Sequence, residues 1–243
     1  MTTLLALETA DTTCGVAVWH NGVCRAAAHI HRPRVHAARL VPLLNDTLEH
    51  AELAPKQVDA VAVSSGPGSY TGLRIGMSTA KGFAMARDLP LIPVPTLEAA
   101  AYALAPWVAP NDLVVPALDA RRNDVFAAAY QCTFNGWSPA HDAGPYNTSA
   151  LADAVWDAAE SEGTIWCTGP AAQKAADPIR THPAAQSAVH TVRVVPAPYR
   201  ALSAEHVAQR GRARARKGLH EDPRTVEPAY LKAFHGTPSA KSV

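Results

Sequence analysis

The sequence has no apolar run long enough to cross a bilayer: its longest, such as residues 99–109, are broken by proline well short of the roughly 20 residues a spanning helix needs. It has no excess of either charge. Lys and Arg number 22 against 21 Asp and Glu, a formal charge of +1, which argues against stand-alone nucleic-acid binding, since that rests on a surplus of phosphate-neutralising cations. A local basic patch stays compatible with this balance. The four cysteines, Cys14, Cys24, Cys132 and Cys167, form no C-x-x-C pair, so neither a zinc knuckle nor a thioredoxin-like motif is present and free thiols in a reducing cytosol are expected. The 11 histidines contain no H-E-x-x-H. No targeting segment is expected, because Met1 leads into Leu4-Leu5-Ala6-Leu7 without a basic flank. What is present is 48% hydrophobic residues over 243 positions, enough for one large domain or two modest ones with a buried core.

Hydrophobic period predicts strands over residues 4–8, 15–19 and 23–30, the last two joined by Asn21-Gly22, a strong type I′ hairpin signal. A helix is predicted over 35–53, with Leu40, Leu44, Leu48 and Ala51 on one stripe. A short strand over 58–64, a glycine-rich loop over 66–72, a helix over 73–86, a strand over 91–94 and a helix capped by Thr96 follow. The order β-β-β-α-β-α-β-α describes a mixed sheet with helices on its faces, as in ribonuclease H-like and actin-like (ASKHA) domains. A proline-rich connector at 105–110 marks a boundary. The expected organisation is an N-terminal lobe over 1–105, a degenerate C-terminal lobe over 111–231 and a tail over 232–243. In the second half, strands are expected at 113–118, 125–131 and 164–168 and a helix at 202–217. Residues 171–195 show little periodicity, and no sequence identity recurs at a fixed offset.

Gly66-Pro67-Gly68-Ser69-Tyr70-Thr71-Gly72 lies between a strand and a helix, where glycines let backbone N–H groups face an anion. It lacks the Lys-Ser/Thr of a Walker A loop and the acid of a dinucleotide fingerprint, so a tight structural turn explains it equally well. In the following helix Gly72, Gly76, Ala80 and Ala84 recur every four residues, flanked by Leu73, Met77 and Phe83. Such a ridge permits close helix approach, either within the domain or to a partner chain. Glu8-Thr9-Ala10-Asp11-Thr12-Thr13 is an acid and hydroxyl cluster in the first turn, a composition common in turns generally. Arg210, Arg212, Arg214, Arg216 and Lys217 form the only basic cluster recognised, spread around a helix as on a solvated face. No hydrolytic triad has a nucleophile-elbow context.

Leu4-Leu5-Ala6-Leu7-Glu8-Thr9-Ala10, His36-Ala37-Ala38-Arg39-Leu40-Val41-Pro42-Leu43, Gly66 through Gly76, Leu118-Asp119-Ala120-Arg121 and Glu227-Pro228-Ala229-Tyr230-Leu231 together resemble the TsaB (YeaZ-like) family, the dimerisation subunits of the complex that forms threonylcarbamoyladenosine in bacterial tRNA. The resemblance runs from the N-terminus to about Leu231 and is most specific from Gly66 to Gly82. It implies an α/β actin-like fold of two related lobes, the second reduced, and a noncatalytic, cytoplasmic chain that pairs with a TsaD-like catalytic subunit and a TsaE-like ATPase. TsaD carries its metal on two histidines of a pattern like N-H-L-E-G-H; here Pro95-Thr96-Leu97-Glu98-Ala99-Ala100 stands in that place, with Thr96 and Ala100 at the ligand positions. No metal and no intrinsic cofactor are therefore expected.

The resemblance further implies a partner interface built from His36, Arg39, Leu40, Leu43, Leu44, Gly72, Leu73, Gly76, Met77, Ala80, Phe83 and Ala84. Gly76→Leu is then expected to abolish pairing with the fold intact. ATP or ADP at the complex interface would meet Glu8, Thr9, Asp11, Thr12, Gly66, Gly68, Ser69 and Asp119, although the family usually has Asp where Glu8 stands. A homodimer of the free chain and contact with tRNA through the complex are further implications. Two other classes compete with this reading: an actin-like ATP-dependent enzyme or glycoprotease-like peptidase acting alone, and a direct tRNA-binding module using the Arg210 to Lys217 cluster.

Overall fold

The computed structural model describes residues 3–134, 136–159, 162–186 and 189–231; the expected tail lies outside them. β1 (Thr3–Glu8), β2 (Thr13–His20) and β3 (Val23–His31) form an antiparallel meander, and β4 (Ala60–Gly66) and β5 (Leu91–Pro95) add parallel strands beyond β1, giving the order β3-β2-β1-β4-β5. The β2–β3 turn has positive φ at Asn21 (50°) and Gly22 (88°), as a type I′ turn requires. Every residue of β1 is buried, because this central strand is covered on both faces. Leu5, Leu7, Val16, Val18, Val61 and Val63 face α1 (His36–His50) and α2 (Tyr70–Arg87). Leu4, Ala6, Ala17, Ala60 and Ala62 face the other way, onto α6 (Ala204–Arg216).

The second sheet contains β6 (Leu113–Asp119), β7 (Asp124–Thr133), β8 (Gly136–Asn147), β9 (Thr164–Thr168) and β10 (Thr191–Val194), in the order β10-β9-β6-β7-β8. Its strand directions repeat those of the first sheet: a three-stranded antiparallel meander followed by two parallel strands beside the first. The reduction of this lobe is clearest in its helices: α4 (Thr148–Ala158) and α5 (Ala172–Thr181) have 11 and 10 residues, against 15 and 18 in α1 and α2. The fold is a two-lobe α/β architecture of mixed sheets with flanking helices. Between the sheets stands α3 (Thr96–Tyr102), with Leu97 and Ala100 packed among Ala10 and Leu73 of the first lobe and Leu118 and Phe126 of the second.

Three sequence expectations change. Thr96 is not a cap: it is the first residue of α3 after Pro95, and its buried hydroxyl accepts the Gly66 N–H at 3.1 Å. α2 starts at Tyr70, three residues early, because Ser69 caps it through Oγ and the Gly72 N–H at 3.3 Å. Residues 204–216, expected in the C-terminal lobe, cover the first sheet instead; Gly211 lies so close to Ala62 that a side-chain carbon there would stand 2.8 Å from the Ala62 Cβ. Arg210 and Arg214 are consequently not a solvated basic face. Both pair with Glu98 of α3, with Arg210 Nε at 2.6 Å, and the Arg210 guanidinium lies 4.1 Å from the Tyr102 ring centre.

All four cysteines are free thiols, with Cys14 and Cys167 buried. Among the described residues no helix is long and apolar enough to cross a membrane.

The glycine ridge is used inside the lobe. Gly68, Gly72 and Gly76 press against the turn after β1, where a Cβ on each would overlap, respectively, the Ala10 carbonyl, the Thr9 carbonyl and the Thr9 hydroxyl. Gly76→Ala should therefore destabilise the chain by about 1–3 kcal/mol, as overpacking does, read as a lower denaturant midpoint. The larger Gly76→Leu should fail to fold, the opposite of a variant that loses only a partner.

Candidate functional site

A cavity of about 730 Å³ opens between the lobes. Its first wall is the turn after β1 (Ala10, Asp11) and the start of α2 (Gly68, Ser69, Tyr70, Thr71); its second is the end of β6 and the following turn (Leu118 to Arg122) with Asp124 and Phe126. The third is the C-terminal segment 229–231. That segment follows α6 along the first lobe and is tied down there: Lys81 Nζ donates to the Val226 carbonyl at 2.9 Å, and Ala229 N–H donates to the Ser65 carbonyl at 2.7 Å. Gly66 makes the approach feasible. Its φ is +115°, and the Ala229 carbonyl occupies the space a Cβ would need. Tyr230 then packs on Tyr70 with ring centres 4.8 Å apart and the rings tilted by 39°, and its hydroxyl accepts from Arg74 Nε at 3.3 Å while the guanidinium lies 4.2 Å from the Tyr70 ring centre.

Of the eight residues expected to meet nucleotide, Asp11, Gly68, Ser69 and Asp119 line this cavity. Glu8, Thr9 and Gly66 are instead buried beneath it, and Thr12 is exposed outside its lining. Glu8 points inward: Oε1 accepts the Ala10 N–H at 2.6 Å and the Ser64 hydroxyl at 3.1 Å. Burial pushes its carboxyl up from 4.5 to about 7, against those two hydrogen bonds, which favour the charged form. The Thr9 hydroxyl is buried against Gly76 and has no hydrogen-bond partner among the described residues. Asp119 is engaged by Lys174, whose Nζ donates to Oδ1 at 2.6 Å and to the Asp124 carbonyl at 2.8 Å. Of these acids and hydroxyls, Asp11, Ser69 and Asp119 face the cavity, where Ser69 already accepts the Gly72 N–H and Asp119 already meets Lys174. Among the described residues no group of three or more His, Cys, Asp or Glu is placed to hold a metal ion.

The expected partner residues divide in the same way. His36, Leu40, Leu44, Gly72, Leu73, Gly76, Met77, Ala80 and Ala84 are buried in their own lobe, with His36 Nε2 donating to the Thr13 carbonyl at 3.0 Å. Leu43 and Phe83 are half-buried, and Arg39 alone is exposed. The outer stripe of the helix pair consists of other residues: Ala37, Val41, Ser78, Gly82 and Met85, with Val41 and Met85 each 52% exposed.

Sequence reasoning missed Lys174, Arg74 and the Tyr70–Tyr230 ring contact. One signal for Lys174 was available. Thr168-Gly169-Pro170 repeats Ser65-Gly66-Pro67 at the corresponding strand end, both glycines have positive φ, and Asp119 closes β6 as Glu8 closes β1. Because the spacing between strand and loop differs in the two lobes, no fixed offset reveals the repeat.

Glu8 also makes stability depend on pH. Its folded value lies above the unfolded one, so its contribution is full below about pH 4.5 and is lost as pH rises through about 7. Glu8→Gln keeps an acceptor oxygen without the charge. Thermal unfolding should show the variant equal to wild type near pH 4.5 and more stable by a few kcal/mol at pH 8; equal stability at both would contradict the burial of an ionising carboxyl.

The family model described as "TsaD: tRNA N6-adenosine threonylcarbamoyltransferase" matches residues 30–210. Proteins named "tRNA threonylcarbamoyladenosine biosynthesis protein TsaB" are similar to the chain: that of Haemophilus influenzae is 41% identical over 126 residues (51% of this chain, 52% of that protein), and that of Escherichia coli 37% over 134 residues (55% and 57%). The chain thus spans about half the length of the curated relatives it matches. A crystal structure from Pseudomonas aeruginosa, described as an uncharacterized protein with similarity to peptidase YEAZ, superposes over 96% of this chain and 100% of its own, with 28% identity and a TM-score of 0.78. A second, described as YeaZ from the same organism, gives 95%, 100%, 27% and 0.76. With a model match over most of its length and structural agreement from end to end, the chain belongs to the TsaD family and, within it, to the TsaB (YeaZ) branch.

Proposed function

We propose that the chain is a noncatalytic subunit in the biosynthesis of threonylcarbamoyladenosine in tRNA, pairing with a TsaD-like catalytic chain and acting beside a TsaE-like ATPase in the cytoplasm. The observation that carries this reading is the start of α3. The positions the family's enzyme would use for metal-binding histidines hold Thr96 and Ala100, both buried. Thr96 is committed to the Gly66 N–H, and Glu98 between them is committed to Arg210 and Arg214. An imidazole pair has no equivalent here, and no open coordination position is left by these contacts. The scaffold is kept and its metal chemistry replaced by packing.

A subunit without chemistry acts through its surface. The helices α1 and α2 shield one face of the first sheet, and their outer stripe of Ala37, Val41, Ser78, Gly82 and Met85 is exposed and uncharged, and depletion of charge is what marks an interface centre. Gly82 has no atom within 4 Å of where its Cβ would stand, so a partner helix can approach there. In the absence of the partner, two copies would associate through this same face. We further propose that ATP or ADP used by the complex is held by the other subunits.

Light scattering on the mixed subunits tests the surface. Gly82→Leu and Met85→Glu should each lower pairing affinity at least about tenfold, the order expected of a central interface residue, with unchanged melting temperature. Normal pairing by both variants would move the interface elsewhere.

A further inference from the structure

Between Asp11 and Asp46 the chain carries Arg25, Arg32, Arg34 and Arg39 and no acid. The whole chain is only +1, so the remainder is net negative even with the Arg210 to Lys217 cluster counted in it. β3 ends beside the start of β2, with His31 opposite Thr13, so Arg32 and Arg34 emerge at the same end of the sheet as the turn that lines the cavity. On the facing lobe Arg121 and Arg122 follow the end of β6 and line the cavity itself. Arg32, Arg34, Arg121 and Arg122 are all exposed, and none forms a salt bridge among the described residues.

Their backbones carry a second, independent signal. Seven described non-glycine residues have positive φ, and three of them are Arg34 (61°), Arg121 (69°) and Arg122 (50°). The left-handed region crowds Cβ and is ordinarily given to glycine, asparagine or aspartate. Holding arginine there three times, at one end of the molecule, indicates that the side chain is what the position requires.

We propose that this rim is a contact surface for the phosphate backbone of RNA, an inference that rests on the functional reading above. Arginine forks match phosphate oxygens bidentately, and arginines on two lobes separated by a cavity suit a ligand that repeats its charge along a chain. Of the acids nearby, Asp119 is taken by Lys174, and no salt bridge ties the others to these arginines among the described residues. In the same cavity lining as Arg121 and Arg122, Tyr230 is 39% exposed beside Tyr70 and offers an aromatic face on which an unstacked base can lie.

The test is titration of an unmodified tRNA transcript into the paired subunits over a KCl series. Arg32→Ala/Arg34→Ala and Arg121→Ala/Arg122→Ala should each weaken binding by about tenfold and flatten the slope of log K against log salt by roughly 1.5, as expected when two phosphates are no longer neutralised. Tyr230→Ala should weaken binding with the slope unchanged. Arg121→Gly/Arg122→Gly should bind RNA equally poorly yet melt higher than wild type, which a folding role for these arginines would reverse. Unchanged affinity and slope in both arginine pairs overturns the proposal, as does loss of subunit pairing in these variants with RNA affinity retained, which would mark the rim as a contact for an acidic protein. If the wild-type subunits do not pair, the functional reading fails separately, and the same variants titrated in the chain alone decide this one by the same slope.

Discussion

The contact between α2 and the turn after β1 sets the geometry of everything around the cavity. Three glycines let the helix and the loop before it settle against this turn, Gly68 and Gly72 on the Ala10 and Thr9 carbonyls and Gly76 on the Thr9 side chain. That closeness fixes Ser69 as the helix cap and draws Gly66 toward α3, where the Thr96 hydroxyl receives its N–H. It also leaves the other side of α2 as the side presented to solvent. The same small residues that look like an interface motif in the sequence are therefore spent inside the lobe, and the stripe opposite is the one exposed.

The two lobes share a sheet topology but treat their matching acids differently. Glu8 ends β1 in an apolar, fully enclosed position with only neutral hydrogen-bond donors, and its carboxyl rises to about 7. Asp119 ends β6 at the surface and meets a lysine. One acid is enclosed beneath the cavity and the other faces it against a lysine, a divergence within a common frame.

Most of the first lobe was legible in the sequence, because its elements carry strong local signals: Asn21-Gly22 at the hairpin, the Leu40, Leu44, Leu48 stripe of α1, and buried apolar runs for β1 and β4. The second lobe was less so. β8 carries Pro139 and Pro145 and is largely exposed, so no alternating pattern marks it, and α5 is a 10-residue helix with Pro178 inside it. The cavity was half legible. Turn residues near Asp11 and Ser69 announce themselves by type, whereas the C-terminal segment joins the site by contacts 145 to 164 residues distant in sequence, such as Lys81 with Val226 and Ser65 with Ala229. The pairing of Arg210 and Arg214 with Glu98 is equally nonlocal. It converts an apparent basic face into a clamp between α6 and α3, while the arginines of the β3–α1 connection, scattered among histidines and a proline, pass unnoticed until the strand order gathers them.

The central claim, that this chain contributes surface and no chemistry, is tested most directly by a reconstituted transfer assay with labelled threonine, unmodified tRNA, the system that makes the threonylcarbamoyl donor, and the TsaD-like and TsaE-like subunits, with this chain present or omitted. The account predicts product only when this chain and the TsaD-like subunit are both present, and none from this chain alone. Product formed by this chain without the TsaD-like subunit would contradict it, as would full activity when this chain is left out.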